Sequence, residues 1–470
     1  MTVTIDPCGP LGVLLPKVIP LGEPVRFTMS PAASTAVRLS AAAQAGRWAL
    51  FESGLEYDLD IMSVRDFRAR PVQRVGVGGA GALNFTFEPS QAGEHRVGVY
   101  APGRKWQEDP LWSDSFFVVP EGWIHWKPYR GDLHLHTHYS DGRASPLRMV
   151  VRARELGMDF AAVTDHRVYD SSLEAAREAG RKGIDILLLA GEEVNYCLGL
   201  GHLVSLGARE CVSEKYALNG KTADGEFFER LENFETLLQQ VYQGVADELE
   251  EREIPQGADR RLFGFVHGLV KKIHECGGIA VGAHPFWSSH GTMDLVRSTY
   301  EAALEAQLFD AVEVFGGMSF EENMLSLSRI QQSRETGLRT PLLGSSDAHR
   351  LDAPEMGRIW TLLYAPELSE ESVLSAIREG RTCPCLVGEQ NRVIAAGSFP
   401  LVEYSYFLLR EFFPEHDRIC RRLGALYAAL LRDKAGPPKG EKRLRSLIRA
   451  LQREAASLYD TFFAAGAKES

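Results

Sequence analysis

The sequence predicts an α/β protein with a β-rich region ahead of it and a run of helices behind. Three observations carry that prediction. Short apolar runs alternate with amphipathic helical segments over residues 127–395, the first 126 residues hold only strand-like segments, and those from 396 to 470 read as helices. A chain of 470 residues is also too long for one ordinary domain.

In residues 1–126, the segments PVRFTMS, ALNFTFEP, HRVGVYAP and SDSFFVVP are rich in β-branched and aromatic residues and bounded by Gly, Pro and Asp. They read as strands joined by turns, and four or more of them predict a small β-sandwich. This region shows no His/Asp/Glu cluster, so packing or substrate shaping is its expected role. The pattern does not separate it from a carbohydrate-binding module.

After WIHWKPYRGD the pattern changes. LRMVVRARELG reads as a helix before the strand DFAAVTDH, and SLEAAREAGRKG as a helix before the strand IDILLLAGEEV. FGFVHGLVKKIHECG leads into GIAVGAHP, EAALEAQLF into DAVEVFGG, and MLSLSRIQQSRETG into PLLGSSDAH. Repeated βα units of this kind predict a mostly parallel sheet, open or closed into a barrel. A charged stretch with helical apolar spacing, about residues 215–260, reads as an insertion near the strand ends that could cap a site. From about 401 the helices are amphipathic and mildly basic, as expected of packing or oligomerisation elements, so a homo-oligomer through them is conceivable.

Composition narrows the classes. The chain is 44% hydrophobic and 24% charged, with a net charge of −11. That argues against broad electrostatic binding to nucleic acid, and no aromatic-basic stripe is present. No run approaches a membrane span, and the N-terminus lacks the pattern of a signal peptide. The seven cysteines are odd in number and scattered. The CPC at 383–385 has no second pair at zinc-site spacing, so reduced thiols in a cytoplasm are expected.

The chemistry begins with GDLHLHTHYSDG, residues 131–142. On a strand, residues two apart share a face, so His134 and His136 aim two imidazoles at one point, as a metal ion requires. HLHTH, TDH, GEEV, AHP and SSDAH each end an apolar strand. In parallel α/β folds those ends converge on one face. The collected residues are His134, His136, Asp141, His166, Glu193, His202, His284, Asp347 and His349. One ion rarely uses more than four to six protein ligands, so nine candidates predict two or three, with Glu193 as the bridging carboxylate. Mixed N/O ligation suits Zn²⁺, Mn²⁺ or Fe²⁺ better than Ca²⁺.

The order HxH…SDG…TDH…GxE…H…AHP…SDAH, over about residues 129–385, resembles the PHP (polymerase and histidinol phosphatase) superfamily. The resemblance implies a distorted (β/α)7 barrel with two or three metals at the strand C-termini. It assigns His134, His136, Glu193 and Asp347 to one ion, Glu193, His202 and His284 to a second, and Asp141, His166 and His349 to a third. The upstream β region and YRGDLHLHTHYSDG look closest to the CehA/McbA-like branch, which is associated with ester or carbamate cleavage, whereas most PHP enzymes cleave phosphate esters.

Metals lower the pKa of bound water to about 7. A metal-dependent hydrolase follows, with Glu193, Asp347 and His349 as its catalytic residues. A small phosphorylated molecule is the favoured substrate, and a carbamate or carboxylic ester is the alternative on the same metals. A non-catalytic scaffold ranks lower, because all nine positions hold competent ligands, and a nuclease is disfavoured by the net charge.

Other residues remain open. Asp165 could orient an imidazole or be a plain structural carboxylate, and Glu313 could stand behind a ligand. Arg143 and Arg167 could clamp a phosphate or lie on the surface. Glu192 should face away from Glu193. His138 is expected at the surface, His267 and His274 in helix packing, and His290 outside every motif.

Overall fold

The structure, a computed structural model, describes residues 2–6, 13–29, 56–63, 73–76, 83–100, 112–194, 202–216, 231–251, 254–289, 292–293, 296–431 and 440–463. His290 and the first part of the expected insertion lie outside them. The chain divides into two compact units. One comprises Met1–Lys127, Glu403–Pro414 and Arg453–Ser470, and the other Pro128–Val402 and Glu415–Gln452. The helices after residue 396, read from the sequence as an extension of their own, are divided between these units.

Among its described residues the first unit holds two sheets. One orders Val13–Leu15, Thr2–Asp6, Val25–Met29 and Leu83–Phe87, and the other orders Val18–Pro20, Trp112–Val119, Gly93–Tyr100, Glu56–Ser63 and Gln73–Gly76. Each of the four quoted strand segments therefore forms a strand. Along Gly93–Tyr100, His95, Val97 and Val99 are buried while Arg96 is exposed, the two-residue period of a sheet with one covered face. Tyr404 and Phe407 pack their rings 4.8 and 5.4 Å from that of Phe117. The buried Lys17 amine pairs with Asp114 at 2.5 Å and Glu411 at 2.9 Å.

The second unit carries the expected βα units on two mixed sheets. The six-stranded sheet orders Leu187–Leu189, Phe160–Val163, Lys127–Leu135, Ile359–Ala365, Thr382–Val387 and Val393–Ala395. The five-stranded sheet orders Gly191–Glu193, Leu203–Leu206, Ile279–Gly282, Ala311–Phe315 and Leu342–Gly344. Helices Pro146–Glu155, Asp170–Lys182, Arg297–Glu305 and Phe320–Glu335 connect strands, as their apolar spacing predicts. Phe160–Val163 is buried throughout, which is why it reads as an unbroken apolar run.

The expectation of a mostly parallel sheet needs correction. Leu203–Leu206 runs antiparallel to both Gly191–Glu193 and Ile279–Gly282. Only nine residues, with no helix assigned among those described, separate it from Glu193. A parallel crossover needs about a dozen or more residues, so a hairpin is the available connection.

Parallel bridges join the two sheets at two places, His166 to Glu193 and Leu135 to Ala348. Both lie at strand C-terminal ends, so residues far apart in sequence meet there. The described part of the insertion, helices Leu231–Gln243 and Ala246–Glu250, packs on helix Arg260–Glu275. A Cβ at Gly264 would meet Tyr242 Cδ2 at 2.6 Å and Leu249 Cδ1 at 2.7 Å, so only glycine permits that approach.

Candidate metal centre

Period two does more on the Lys127–Leu135 strand than the HxH pair suggests. Asp132, His134 and His136 all project to one face, and all three are buried. His134 and His136 reach the cluster, while Asp132 lies outside its groups of close ligand atoms and anchors Ser346. It accepts the Ser346 N–H at 2.9 Å and the Ser346 hydroxyl at 2.5 Å. Burial raises its pKa to about 7, against those hydrogen bonds. Asp132 was missed at the level of sequence, although its place two residues before His134 put it on the right face.

Glu193 is the centre of the cluster. Its Oε2 lies 3.3 Å from His134 Nε2, 3.3 Å from His136 Nε2 and 2.8 Å from His166 Nδ1. Its Oε1 lies 2.6 Å from His202 Nδ1 and 3.4 Å from His284 Nε2. Glu192 turns the other way, as strand alternation requires, and accepts the backbone N–H of Val212 at 2.6 Å. Asp347 Oδ1 faces His136 Nε2 at 3.0 Å and His134 Nε2 at 3.4 Å. Its backbone is left-handed, with φ 53°, which an L-residue adopts at a cost of about 1–3 kcal/mol. The neighbouring Ala348 carbonyl accepts the His136 N–H at 3.0 Å and helps hold the turn.

Asp141, His166 and His349 form the outer part. Asp141 Oδ2 lies 3.5 Å from His166 Nε2 and 3.2 Å from His349 Nε2. The side chains of Asp141 and His349 are 44% and 34% exposed, which places them at the mouth. All nine candidate ligands thus meet in one place. Their atoms form four mutually close groups: His136, Asp141, His166 and His349; His134, Glu193 and His284; His134, His136 and Asp347; and His166, Glu193 and His202. His136 joins the outer group as well as the inner one, and His202 groups with His166 and Glu193 while its ring lies 5.0 Å from that of His284.

The donor set fits divalent metal ions. The Nε2 atoms of His134 and His136, both Glu193 oxygens and Asp347 Oδ1 are buried, yet none makes a well-aligned hydrogen bond. They lie 3.0–3.4 Å apart and aim at shared points rather than at one another, as ligand atoms do. The electrostatics agree. Burial opposes charge on His284, yet Glu193 and Asp347 outweigh it and push its pKa up to about 9. Burial likewise opposes charge on His166, which Glu193 and Asp141 push up to about 10. Asp347, Glu313 and Glu193 hold His134 well above its ordinary value despite burial. Glu193 itself is held far below the usual carboxylate range by the surrounding imidazoles, chiefly His202, His166 and His134, against its burial. Carboxylates that hold this much positive charge present the field a divalent cation needs.

The supporting residues separate cleanly. Glu313 accepts the His134 Nδ1–H at 3.1 Å and the His284 backbone N–H at 2.9 Å, so it stands behind two ligands, as expected. Glu313→Gln offers one carbonyl oxygen where two separate oxygens are used, and metal affinity should fall about 10- to 100-fold. Competition with a chelator of known affinity measures it. Asp165 reaches an imidazole only through Ser140, whose hydroxyl lies 3.4 Å from His136 Nδ1. It accepts the Thr137 N–H at 2.7 Å, the Thr137 hydroxyl at 2.6 Å and the Ser140 hydroxyl at 2.6 Å, and so pins the turn that carries Asp141.

Arg143 and Arg167 flank the cluster through their backbones. The Arg143 N–H donates to His349 O at 2.9 Å and the Arg167 N–H to Glu193 O at 2.7 Å. Arg143 is exposed and Arg167 half-buried with φ 55°. His138 is exposed. His267 pairs with Glu248 and His274 with Asp310, so both histidines of that helix make polar pairs rather than apolar packing. Trp287, which no motif marked, sets its ring 5.6 Å from His284 and 6.0 Å from His202.

Comparison with known proteins agrees with this geometry. Residues 132–247 match the PHP domain family, and residues 334–382 match the PHP-associated family. The 3',5'-nucleoside bisphosphate phosphatase of Chromobacterium violaceum is 36% identical over 76 residues, 16% of this chain and 27% of that protein. The 5'-3' exoribonuclease Rnm of Escherichia coli is 38% identical over 64 residues, 14% of this chain and 22% of that protein. These matches span about a quarter of the relatives' length. Among solved structures, a two-domain Bacteroides vulgatus protein containing a predicted PHP-like metal-dependent phosphoesterase is 18% identical. That match covers 55% of this chain and 65% of that one, with a TM-score of 0.38. The lesion-specific endonuclease PfuEndoQ of Pyrococcus furiosus is 15% identical, with 58% and 60% covered and a TM-score of 0.32. Among the described residues, no helix is long and apolar enough to cross a membrane.

Proposed function

We propose that this chain, which carries a PHP domain and a PHP-associated segment, is a metal-dependent phosphoesterase acting on a small phosphorylated molecule from a distorted (β/α)7 barrel. One observation carries the reading: four buried imidazoles, the partly buried His166 and two carboxylates converge, with ligand atoms aimed at shared points rather than at each other. The phosphate and phosphodiester chemistry named for the matched relatives supports phosphorus as the electrophile.

His134, His136 and Asp347 would hold one ion, and His202 and His284 another. Glu193 would be shared, because its two oxygens face different imidazoles. His166, Asp141 and His349 would hold a third at the mouth. When bound, such ions activate water and neutralise charge on the phosphoryl oxygens. The residues of this chain supply the geometry. Glu313 and Asp132 fix the inner wall, and Asp165 fixes the turn that brings Asp141 into place. His349 sits at the mouth, its Nδ1 donating to the Asp347 carbonyl at 2.8 Å. That hydrogen bond leaves Nε2, 3.2 Å from Asp141 Oδ2, as the ring's ligand atom for the third ion, and Nε2 would pass a proton to the leaving oxygen only where that ion is absent. Arg143, exposed and tied through its backbone to His349, would meet a phosphate oxygen.

The test compares an aryl phosphate with the matching aryl carboxylic ester on one Mn²⁺- or Zn²⁺-loaded preparation, before and after chelation. Metal-dependent cleavage of the phosphate, with the carboxylic ester slower, is expected. Faster metal-dependent cleavage of the carboxylic ester would replace this reading with an esterase on the same centre.

A further inference from the structure

A cleft of about 710 Å³ lies in the same unit as the cluster but is lined by other residues. That volume is within the range that holds a drug-sized molecule. Its base is apolar, formed by Ile359, Leu386 and Ile394, and Met318 and Phe320 form one wall. Phe320 is 50% exposed. At the first position of helix Phe320–Glu335, half of the residue stays open to water, an apolar area that a ligand can cover.

Two features tie this cleft to the metal centre. A Cβ on Gly317 would meet Asp347 Cβ at 2.7 Å and Asp347 Oδ2 at 3.0 Å, so bare backbone packs on that ligand. Met318 follows directly, its Cα about 3.8 Å from that of Gly317, and already lines the cleft. The partition between Asp347 and the cleft is therefore one residue thick. It is also rigid: Asn323 accepts the Gly316 N–H at 2.8 Å and donates to the carbonyls of Gly316, Met318 and Ser319 at 3.2, 3.1 and 3.0 Å. On the other side, the segment leaving His349 delivers Pro354 and Glu355 to the cleft within six residues.

Charge around the cleft selects against anions. Glu321, Glu355 and Glu389 oppose Arg358 and Arg392. The Arg358 guanidinium is already committed to the carbonyls of Val387 and Gly388, at 2.8 Å each. Those bonds do not cancel its charge, so three carboxylates face two guanidiniums and the lining is net negative by one charge.

We propose that this cleft holds the uncharged, largely apolar body of the substrate, while the ester linkage passes over the edge of the Gly317–Met318 backbone and the single phosphate reacts at the imidazole cluster. The assignment rests on the phosphoesterase reading and names its substrate class: monophosphate esters of aromatic or branched aliphatic alcohols. Esters carrying a second phosphate on the body are disfavoured by the carboxylates of the rim.

Steady-state release of phosphate by the full chain loaded with Mn²⁺ tests it with three esters. Ethyl phosphate and 2-phenylethyl phosphate have closely similar leaving groups, so their difference reports binding of the body. The third ester is 2-phenylethyl phosphate with a phosphonate, which cannot be hydrolysed, on the ring. The phenylethyl ester should show kcat/KM about tenfold or more above the ethyl ester, carried mainly by KM, and the phosphonate-bearing ester should lose that advantage. Phe320→Ala, at an exposed position, and Ile394→Ala should each narrow the phenylethyl-to-ethyl ratio about threefold or more. Equal kcat/KM for the two monoesters, or a ratio untouched by both substitutions, would overturn the cleft assignment alone. Release of phosphate from none of the three would overturn the phosphoesterase reading and the assignment with it.

Discussion

Glu193→Gln should reduce metal-dependent turnover about 1000-fold or more, a loss of about 4 kcal/mol in transition-state stabilisation. The substitution is isosteric, so packing around a fully buried side chain survives. What changes is the charge at the point where five imidazoles meet. Glu193 Oε1 serves His202 and His284, and Oε2 serves His134, His136 and His166. A glutamine amide presents one acceptor and one donor there, and the donor side confronts ligand nitrogens or the cation itself. Elemental analysis after dialysis should show less bound metal, while the far-ultraviolet circular dichroism stays that of the wild type. Glu192→Gln is the internal contrast. Glu192 accepts backbone N–H groups of Val212 and Ser213, so its substitution should weaken folding by about 1–3 kcal/mol and leave metal content alone. Wild-type turnover by the Glu193 variant would remove that residue from the centre.

The contrast between these adjacent glutamates shows what local sequence can reveal. Strand period settles that only one of them reaches the cluster, and the GxE spacing picks the right one. The same period brought out His134 and His136, and the habit of parallel strands to gather their C-terminal ends brought in His166, His284 and Asp347. Those inferences need only local geometry. Partners across the fold are another matter. Asp132 shares the face of His134 and His136, but its function depends on Ser346, 214 residues away, and no local pattern announces that hydrogen bond. Asp165 was open to two readings because a carboxylate at a strand end looks the same whether it holds an imidazole or a turn. The reversed direction of Leu203–Leu206 was legible only in the shortness of its connection. The cleft beside Asp347 draws on residues from 318 to 394, none of which carries a motif. Motifs mark reacting groups, whereas surfaces that select a substrate body are assembled by the fold.

The histidine least visible in the sequence has the largest expected effect on stability. His416 belongs to no motif and lies in a stretch that reads as an amphipathic helix, yet it is buried and donates through Nε2 to Asp159 Oδ1 at 2.9 Å. Arg154 donates to the same oxygen at 3.1 Å and to Cys420 Sγ at 3.1 Å, and it also pairs with Asp185 at 3.4 Å. Arg130 pairs with Asp417 at 3.0 Å. Removing one partner from such a buried network strands the charge of another, so His416→Ala should cost about 3–5 kcal/mol. The effect should depend on pH, and the sign follows from the direction of the shift. Burial opposes the imidazolium of His416, but Asp159, followed by Cys420, outweighs it and holds the pKa well above the ordinary value of 6.5. A group whose pKa rises on folding contributes its full stabilisation below its unfolded pKa and loses it as pH climbs through the folded one. The gap in urea midpoint between wild type and His416→Ala should therefore be widest near pH 6 and close progressively in alkaline solution. Asp159 behaves oppositely. Burial would raise its pKa, yet His416 and Arg154 hold it below the ordinary value, so its contribution fades only as pH falls through that lowered value. A gap of constant width from pH 6 to strongly alkaline solution would show that His416 contributes as a neutral packing group, and would separate burial of the ring from the ion pair it makes.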